Sequence, residues 1–184
     1  MHEINRANLL LQYSEINFVE QVRKFAIPEK INGLKVRSKY SLSIGECISI
    51  WNIRKNDELL ETTKTVFLLN TKLNRLKYRI FVRKDERFML IDFSRLLLHT
   101  QETGEFIAKK FAELKSDYQD EQMQEIAEKY KGGFEDMIAR YCKLYPAHTQ
   151  QSAMKVNWYD MYLAFKSEVR DNNIQMAYAE LKTK

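Results

Sequence analysis

The chemistry most densely written into this chain is cationic. Lys35, Arg37 and Lys39 alternate in LKVRSKY, and Lys72, Arg75, Lys77, Arg79, Arg83, Lys84 and Arg87 recur through residues 72–87. Ammonium and guanidinium groups at this density neutralise phosphates, and polar side chains set among them can read base edges. Between the two runs Ser49, Asn52 and Arg54 offer such groups, small and polar first and basic last. The formal net charge of +5 understates the polarity of the chain. Residues 23–39 carry six bases against one acid, residues 72–95 carry eight against three, and residues 102–136 reverse the balance with ten acids against five bases. A basic half beside an acidic middle is the distribution expected of a phosphate-facing surface backed by a solvated or partner-facing one.

Other chemistries find little purchase. With 5 glycines in all, the chain has no phosphate-cradling loop, no dinucleotide fingerprint and no nucleophile elbow. Glu113-Leu114-Lys115 and Glu180-Leu181-Lys182 spell half of a nuclease-like metal site, with Asp92 upstream, yet both pairs fall in helical patterns, where carboxylates are not fixed as on sheet ends. Cys47 and Cys142 are far apart, and neither has a Cys or one of His2, His99 and His148 at ligand spacing, which argues against a zinc ribbon and a disulfide framework. His148 after Pro146 has no relay partner in its sequence surroundings. The expectation is a non-enzyme without catalytic residues, metal or cofactor.

The elements that would position the basic runs come next. At 184 residues, 45% hydrophobic and 30% charged, the chain can bury a core as one compact unit. No apolar run reaches the roughly 18 to 20 residues of a membrane span, and the N-terminus lacks the features of a signal peptide, so a soluble cytoplasmic protein with no membrane contact is expected. Apolar spacing from Ile4 to Phe25 predicts an amphipathic helix ended by Pro28, after which Asn32-Gly33 turns the chain into LKVRSKY. Ser43 and Glu46 have capping-box spacing, so a helix should start near Ile44, with Ile44, Cys47, Ile48 and Trp51, joined by Ile50, as its core stripe. With the basic turn before it, this helix could complete a helix-turn-helix element.

KYRIFVRKDERFMLIDF gives the clearest strand signal. Tyr78, Ile80 and Val82 alternate with Lys77, Arg79, Phe81 and Arg83, then a polar turn leads into Phe88–Phe93, so a β-hairpin is expected, with a further strand at residues 65–69. Its first strand would present Lys77, Arg79 and Arg83 to a phosphate or base. From Ser94 onward the pattern is helical, broken at Gly104, Gly132-Gly133 and Pro146, with stripes at Phe106–Leu114, Met123–Tyr130, Phe134–Leu144, Trp158–Phe165 and Ile174–Leu181. Their methionines and aromatics fit a core or a dimer seam better than a cofactor box.

LSIGECISIW, through Leu42, Ser43, Gly45, Ile48, Ile50 and Trp51, resembles a segment of the C subunit of the flagellar master transcriptional activator and of related activators on conjugative plasmids. A looser likeness to a Tyr/Trp helix pair of that family involves Tyr141, Leu144, Tyr145 and Trp158. The resemblance implies a DNA-binding activator encoded on a mobile element or its kin. That family ends in a four-cysteine zinc site, which this chain lacks, so its metal and the DNA contact that goes with it do not carry over.

The expected fold is therefore mainly α with a small antiparallel β-hairpin, carrying a helix-turn-helix-like or ribbon-helix element and a C-terminal helical part. Residues 1–100 form the basic DNA-binding part, and residues 101–184 form the helical part that dimerises or meets a partner such as RNA polymerase or another regulator. The expected function is a sequence-specific transcription regulator, an activator that binds double-stranded DNA as a homodimer. Lys35, Arg37, Lys39, Lys72, Arg75, Lys84 and Arg87 would hold phosphates, and either Ser49, Asn52 and Arg54 or Lys77, Arg79 and Arg83 would read bases. The competing expectation is a helical adaptor or secretion chaperone that binds protein through its apolar stripes.

Overall fold

The computed structural model describes residues 3–4, 16–82, 88–114 and 133–183. The fold is mainly α with small antiparallel strand pairs, and it divides into two compact units, residues 1–42 with 49–105 and residues 43–48 with 106–184. No helix of the described residues is long and apolar enough to cross a membrane.

In the first unit, β1 (Glu3–Ile4) pairs antiparallel with β4 (Phe88–Met89), and α1 spans Ile16–Arg23. Ile4, where the sequence placed the start of this helix, is extended and pairs with Phe88; residues 5–15 lie outside the described residues. Asn32 (φ 50°) and Gly33 (φ 75°) both occupy the left-handed region, and they join β2 (Lys30–Ile31) to β3 (Leu34–Lys35) in a two-residue hairpin. Positive φ at both turn residues matches the twist of the flanking strands, which is why Asn-Gly is favoured there. Ile31 and Leu34 point into the core and Lys30 and Lys35 into solvent, the alternation a one-sided hairpin requires. The Val36 N–H donates to Glu29 O at 2.9 Å and that of Arg37 to Phe67 O at 2.9 Å, which ties the strand exit to the helices that follow.

This pair is a small antiparallel hairpin as expected, but at residues 30–35; among the described residues the hairpin expected at residues 77–93 does not form, since residues 78–82 are helical. The chain from residue 56 runs as α3 (Asn56–Thr63), a π-helical turn (Lys64–Leu68), α4 (Lys72–Lys77) and a second π-helical turn (Tyr78–Val82). Glu58 starts α3 by accepting from the Arg54 and Lys55 N–H groups at 2.7 and 3.2 Å. Val66, Phe67 and Leu68, expected in a strand, continue this helical path and bury completely, so tertiary burial outweighs their β preference. Tyr78, Ile80 and Val82 alternate as a strand would, but Thr71 caps a helix just upstream and the helical path carries through them. Phe88–Met89 is extended, with Glu3–Ile4 rather than residues 78–82 as its partner. Arg83, Lys84 and Arg87 lie outside the described residues.

α5 (Leu90–Ala112) runs unbroken through Gly104, where a break was expected. A Cβ at Gly104 would lie 2.9 Å from Ile50 Cγ2, and Trp51 Nε1 donates to Gly104 O at 2.9 Å. The glycine therefore serves close approach within a helix. Phe93, Leu96 and Leu97 of α5 complete the first core with Leu59 and Phe67, while Thr63 and Thr100 exchange a buried hydroxyl hydrogen bond at 2.9 Å.

The second unit opens with the first turns of α2 (Ile44–Trp51) and contains α6 (Phe134–Leu144), α7 (Gln150–Ala153) and α8 (Trp158–Thr183). Nothing between Phe165 and Ile174 breaks a helix, so the two helices expected there merge into α8. The stripe expected at Met123–Tyr130 lies outside the described residues. The core is aromatic. Phe111 meets Trp158, Tyr162 and Phe165 at centroid distances of 6.4, 6.0 and 6.2 Å, and Tyr141 meets Phe165 at 6.3 Å. Arg140 reaches over Phe165 and pairs with Glu168 at 2.6 Å, clamping α6 to α8.

Candidate nucleic-acid interface

α4 is positioned by two residues that sequence reasoning passed over. Thr71 Oγ1 accepts from the Asn74 N–H at 3.0 Å, satisfying one of the unpaired donors of the first turn. Asn74, buried, then spends both amide hydrogens on backbone carbonyls, Leu68 O at 2.7 Å and Lys35 O at 2.9 Å. The helix is thereby pinned to the end of β3, and the two basic runs of the sequence share one scaffold. The Thr71-x-x-Asn74 spacing was a legible cap signal; the bond to Lys35 O was not, because it spans 39 positions.

Lys72, Leu73, Arg75 and Leu76 of α4 are exposed. Lys72, Arg75 and Leu76, with Tyr78 and Arg79 of the π-helical turn that follows, line a shallow hollow of about 490 Å³. On the side facing β3, Lys35, Arg37, Ser38, Ser41, Asn70, Thr71, Leu73 and Asn74 line a second open groove of about 640 Å³. Arg37 is held in place by Ser41, whose hydroxyl accepts from Nε at 3.1 Å and whose carbonyl accepts from Nη2. Lys39, half-buried, lies 5.4 Å from the centre of the Tyr40 ring, and Lys77 is half-buried at the end of α4. Neither residues 30–45 nor residues 62–84 contain an acid.

A third row was not expected at all. Leu73, Leu76 and Ile80 are 60%, 54% and 54% exposed, recurring at i, i+3 and i+7 beside the bases. Of the alternating residues Tyr78, Ile80 and Val82, Ile80 joins this apolar row and Tyr78 lines the basic hollow.

Ser49, Asn52 and Arg54 are exposed but line neither groove. Arg54 folds back on its own helix end, with Nη1 donating to Trp51 O at 3.3 Å. The capping box of α2 forms as its spacing predicts: Glu46 accepts from the Ser43 N–H and hydroxyl at 2.7 and 2.9 Å, and Ser43 Oγ accepts from the Glu46 N–H at 3.3 Å. Beyond the cap, the Ile44 and Gly45 N–H groups donate to Val156 O and Met154 O, both at 2.9 Å, and a Cβ on Gly45 would stand 3.2 Å from Met154 O. A reading helix presents its N-terminal residues to base edges. This one has them covered, and only a single 3₁₀ turn, Lys39–Ser41, stands where a helix-turn-helix would have its first helix.

Of the metal-like pairs, Lys115 lies outside the described residues, and Glu113, just past the end of α5, is engaged by a lysine. Glu113 accepts from Lys110 Nζ at 2.8 Å, a bond that holds the carboxyl below its usual range and the ammonium above its own. Among the described residues no three His, Cys, Asp or Glu side chains converge as a metal would require. His148 Nδ1 sits 3.3 Å from Ser152 Oγ on α7, and Cys47 is buried. Comparison with protein families, curated proteins and solved structures finds no match to this chain.

Proposed function

We propose that the protein is a DNA-binding transcription regulator, acting as a dimer, that holds duplex phosphates with Lys35, Arg37, Lys72, Arg75 and Arg79. The observation that carries the reading is the solvent-open hollow that Lys72 and Arg75 of α4 line together with Arg79 of the π-helical turn that follows it, with no acid between residues 62 and 84. Phosphate contacts of this kind supply affinity and register and are sequence-independent. Base readout then falls to α4, whose exposed surface lies beside these cations, in place of the strand first expected. The likeness of Leu42–Trp51 to the flagellar-activator segment supports the activator role and a target on or near mobile DNA. In this reading the acid-rich half is left for RNA polymerase or a second regulator.

Fluorescence anisotropy of a labelled 30-base-pair duplex, titrated with the protein at several salt concentrations, tests the proposal. Binding should weaken steeply with salt, and Arg75→Ala with Arg79→Ala should flatten the log–log slope by about 1.8, close to 0.9 for each phosphate contact removed. An absence of binding at low salt, or a slope untouched by the double substitution, overturns it.

The exposed row Leu73, Leu76 and Ile80 favours the second reading, a helical adaptor that binds protein. An adaptor should tolerate charge reversal at Arg75 and Arg79 and lose its partner on Leu73→Gln with Leu76→Gln; a DNA binder should respond to the reversal.

A further inference from the structure

Tyr78 is the aromatic ring among the described residues that line the cationic hollow of Lys72, Arg75 and Arg79. It is half-buried, and a further lysine braces it. Lys64, 5% exposed in the first π-helical turn, pairs with Glu61 at 3.4 Å and sets its Nζ over the Tyr78 ring, 5.6 Å from the centre. A cation over one face draws π density toward itself and holds the ring in one orientation. The hollow therefore meets the ring on its remaining surface, beside the exposed Leu76. Lys64 opens the first π-helical turn and Tyr78 the second, so both irregular turns serve the same contact. Turns of this kind recur at functional sites.

Phosphate contacts on a duplex need neither a ring nor a concavity. Paired bases stay stacked inside and phosphates stand outside, where protruding cations reach them. Here the cations surround a hollow of about 490 Å³, within the roughly 300 to 1,000 Å³ of small-molecule sites, and an aromatic and an aliphatic side chain line it with them. Single strands are held by this combination: cations follow the backbone, and a ring stacks a base whose π face is open because the base is unpaired. An acidic peptide supplies the charge without the flat ring, and a lipid surface does not enter a concavity. From this conjunction we infer that the hollow takes an unpaired base of a nucleic-acid strand, packed on Tyr78, with the flanking phosphates on Lys72, Arg75 and Arg79. The inference rests on the DNA-binding reading of this site and narrows its ligand from a closed duplex to a strand with an open position. Every base has a π face, so Tyr78 adds affinity for open DNA and none for a particular sequence.

Fluorescence anisotropy at moderate salt compares a labelled 30-base-pair duplex with the same duplex carrying a central bubble of five mismatched pairs. The bubble should bind about tenfold tighter, the effect of one stacked base. Tyr78→Leu should erase that preference and leave the salt slope of each DNA unchanged, because the ring carries no charge, whereas Tyr78→Phe should retain it. Arg75→Ala should instead flatten both slopes and leave the preference standing. Equal affinity of the wild-type chain for duplex and bubble overturns the inference and leaves the DNA-binding reading intact, and that comparison depends on no variant. A preference that survives Tyr78→Leu with unchanged circular dichroism overturns it too. A free mononucleotide that competes at the concentration of the bubble itself overturns the assignment to a strand. Binding of neither DNA at low salt overturns this inference and the DNA-binding reading together.

Discussion

His99 shows how much a single side chain owes to its surroundings. It lies buried on α5 with its ring 5.4 Å from that of Phe67, and burial lowers its pKa from 6.5 to about 4, assisted by Lys39 and Arg95 and opposed by Glu102. Arg95 is fixed there by Glu102 at 3.0 Å and by Phe25 O at 2.8 Å. Between pH 4 and 6.5 the unfolded chain carries a proton on this imidazole that the folded chain excludes, so stability rises with pH across that window. The full benefit is present above about pH 6.5, and acidification toward pH 4 should remove about 3 kcal/mol, at 1.36 kcal/mol for each unit of the shift. Urea titrations at pH 7.5, 5.5 and 4.5 should show this fall, and His99→Gln should flatten it; an equal fall in the variant would place the dependence elsewhere. None of this was legible in the sequence, where His99 is only a histidine in an apolar run. Asn32-Gly33 and Ser43 with Glu46 were legible, because what they do is decided by neighbours within three residues. The role of Gly104 was not, since it depends on Ile50 and Trp51 arriving from another helix.

The same division between local and distant causes holds for elements. α2, whose stripe and cap lie in one stretch, and α6, whose stripe follows a glycine pair, were readable, while the end of α4 and the two π-helical turns read as strands because Val66, Ile80 and Val82 favour strands in isolation. What decides the helix at residues 72–82 is its N-terminus, through the Thr71 cap and the two carbonyls that Asn74 holds. Asn74→Ala leaves the buried Leu68 carbonyl and the part-buried Lys35 carbonyl short of a donor and should cost about 2 to 3 kcal/mol, against about 1 kcal/mol for Thr71→Ala. Urea denaturation should record both as lower midpoints with unchanged slopes. Asn74→Ala should also weaken DNA binding, although Asn74 itself is buried beneath the cations, because it joins α4 to the strand that carries Lys35. If its stability falls and its DNA affinity does not, the joint between the two basic runs has no part in recognition.

For the whole molecule, charge was legible and its geometry was not. The basic half and the acidic middle can be counted from the sequence, but only the fold shows Lys72, Arg75 and Arg79 lining one hollow and an exposed stripe at Ile174, Tyr178 and Leu181. The charge count makes a prediction at this scale. Five described cations per protomer, each releasing about 0.9 counterion equivalents on meeting a phosphate, give a log–log salt slope of about −4.5 for one protomer and about −9 for two. On the dimer reading, a duplex long enough for both protomers should show the steeper slope, and one shortened until it holds a single protomer should show half of it. The shorter duplex should also bind more weakly at low salt, because the second set of contacts loses its tether. An equal slope on the two duplexes would mean that a single protomer makes every phosphate contact.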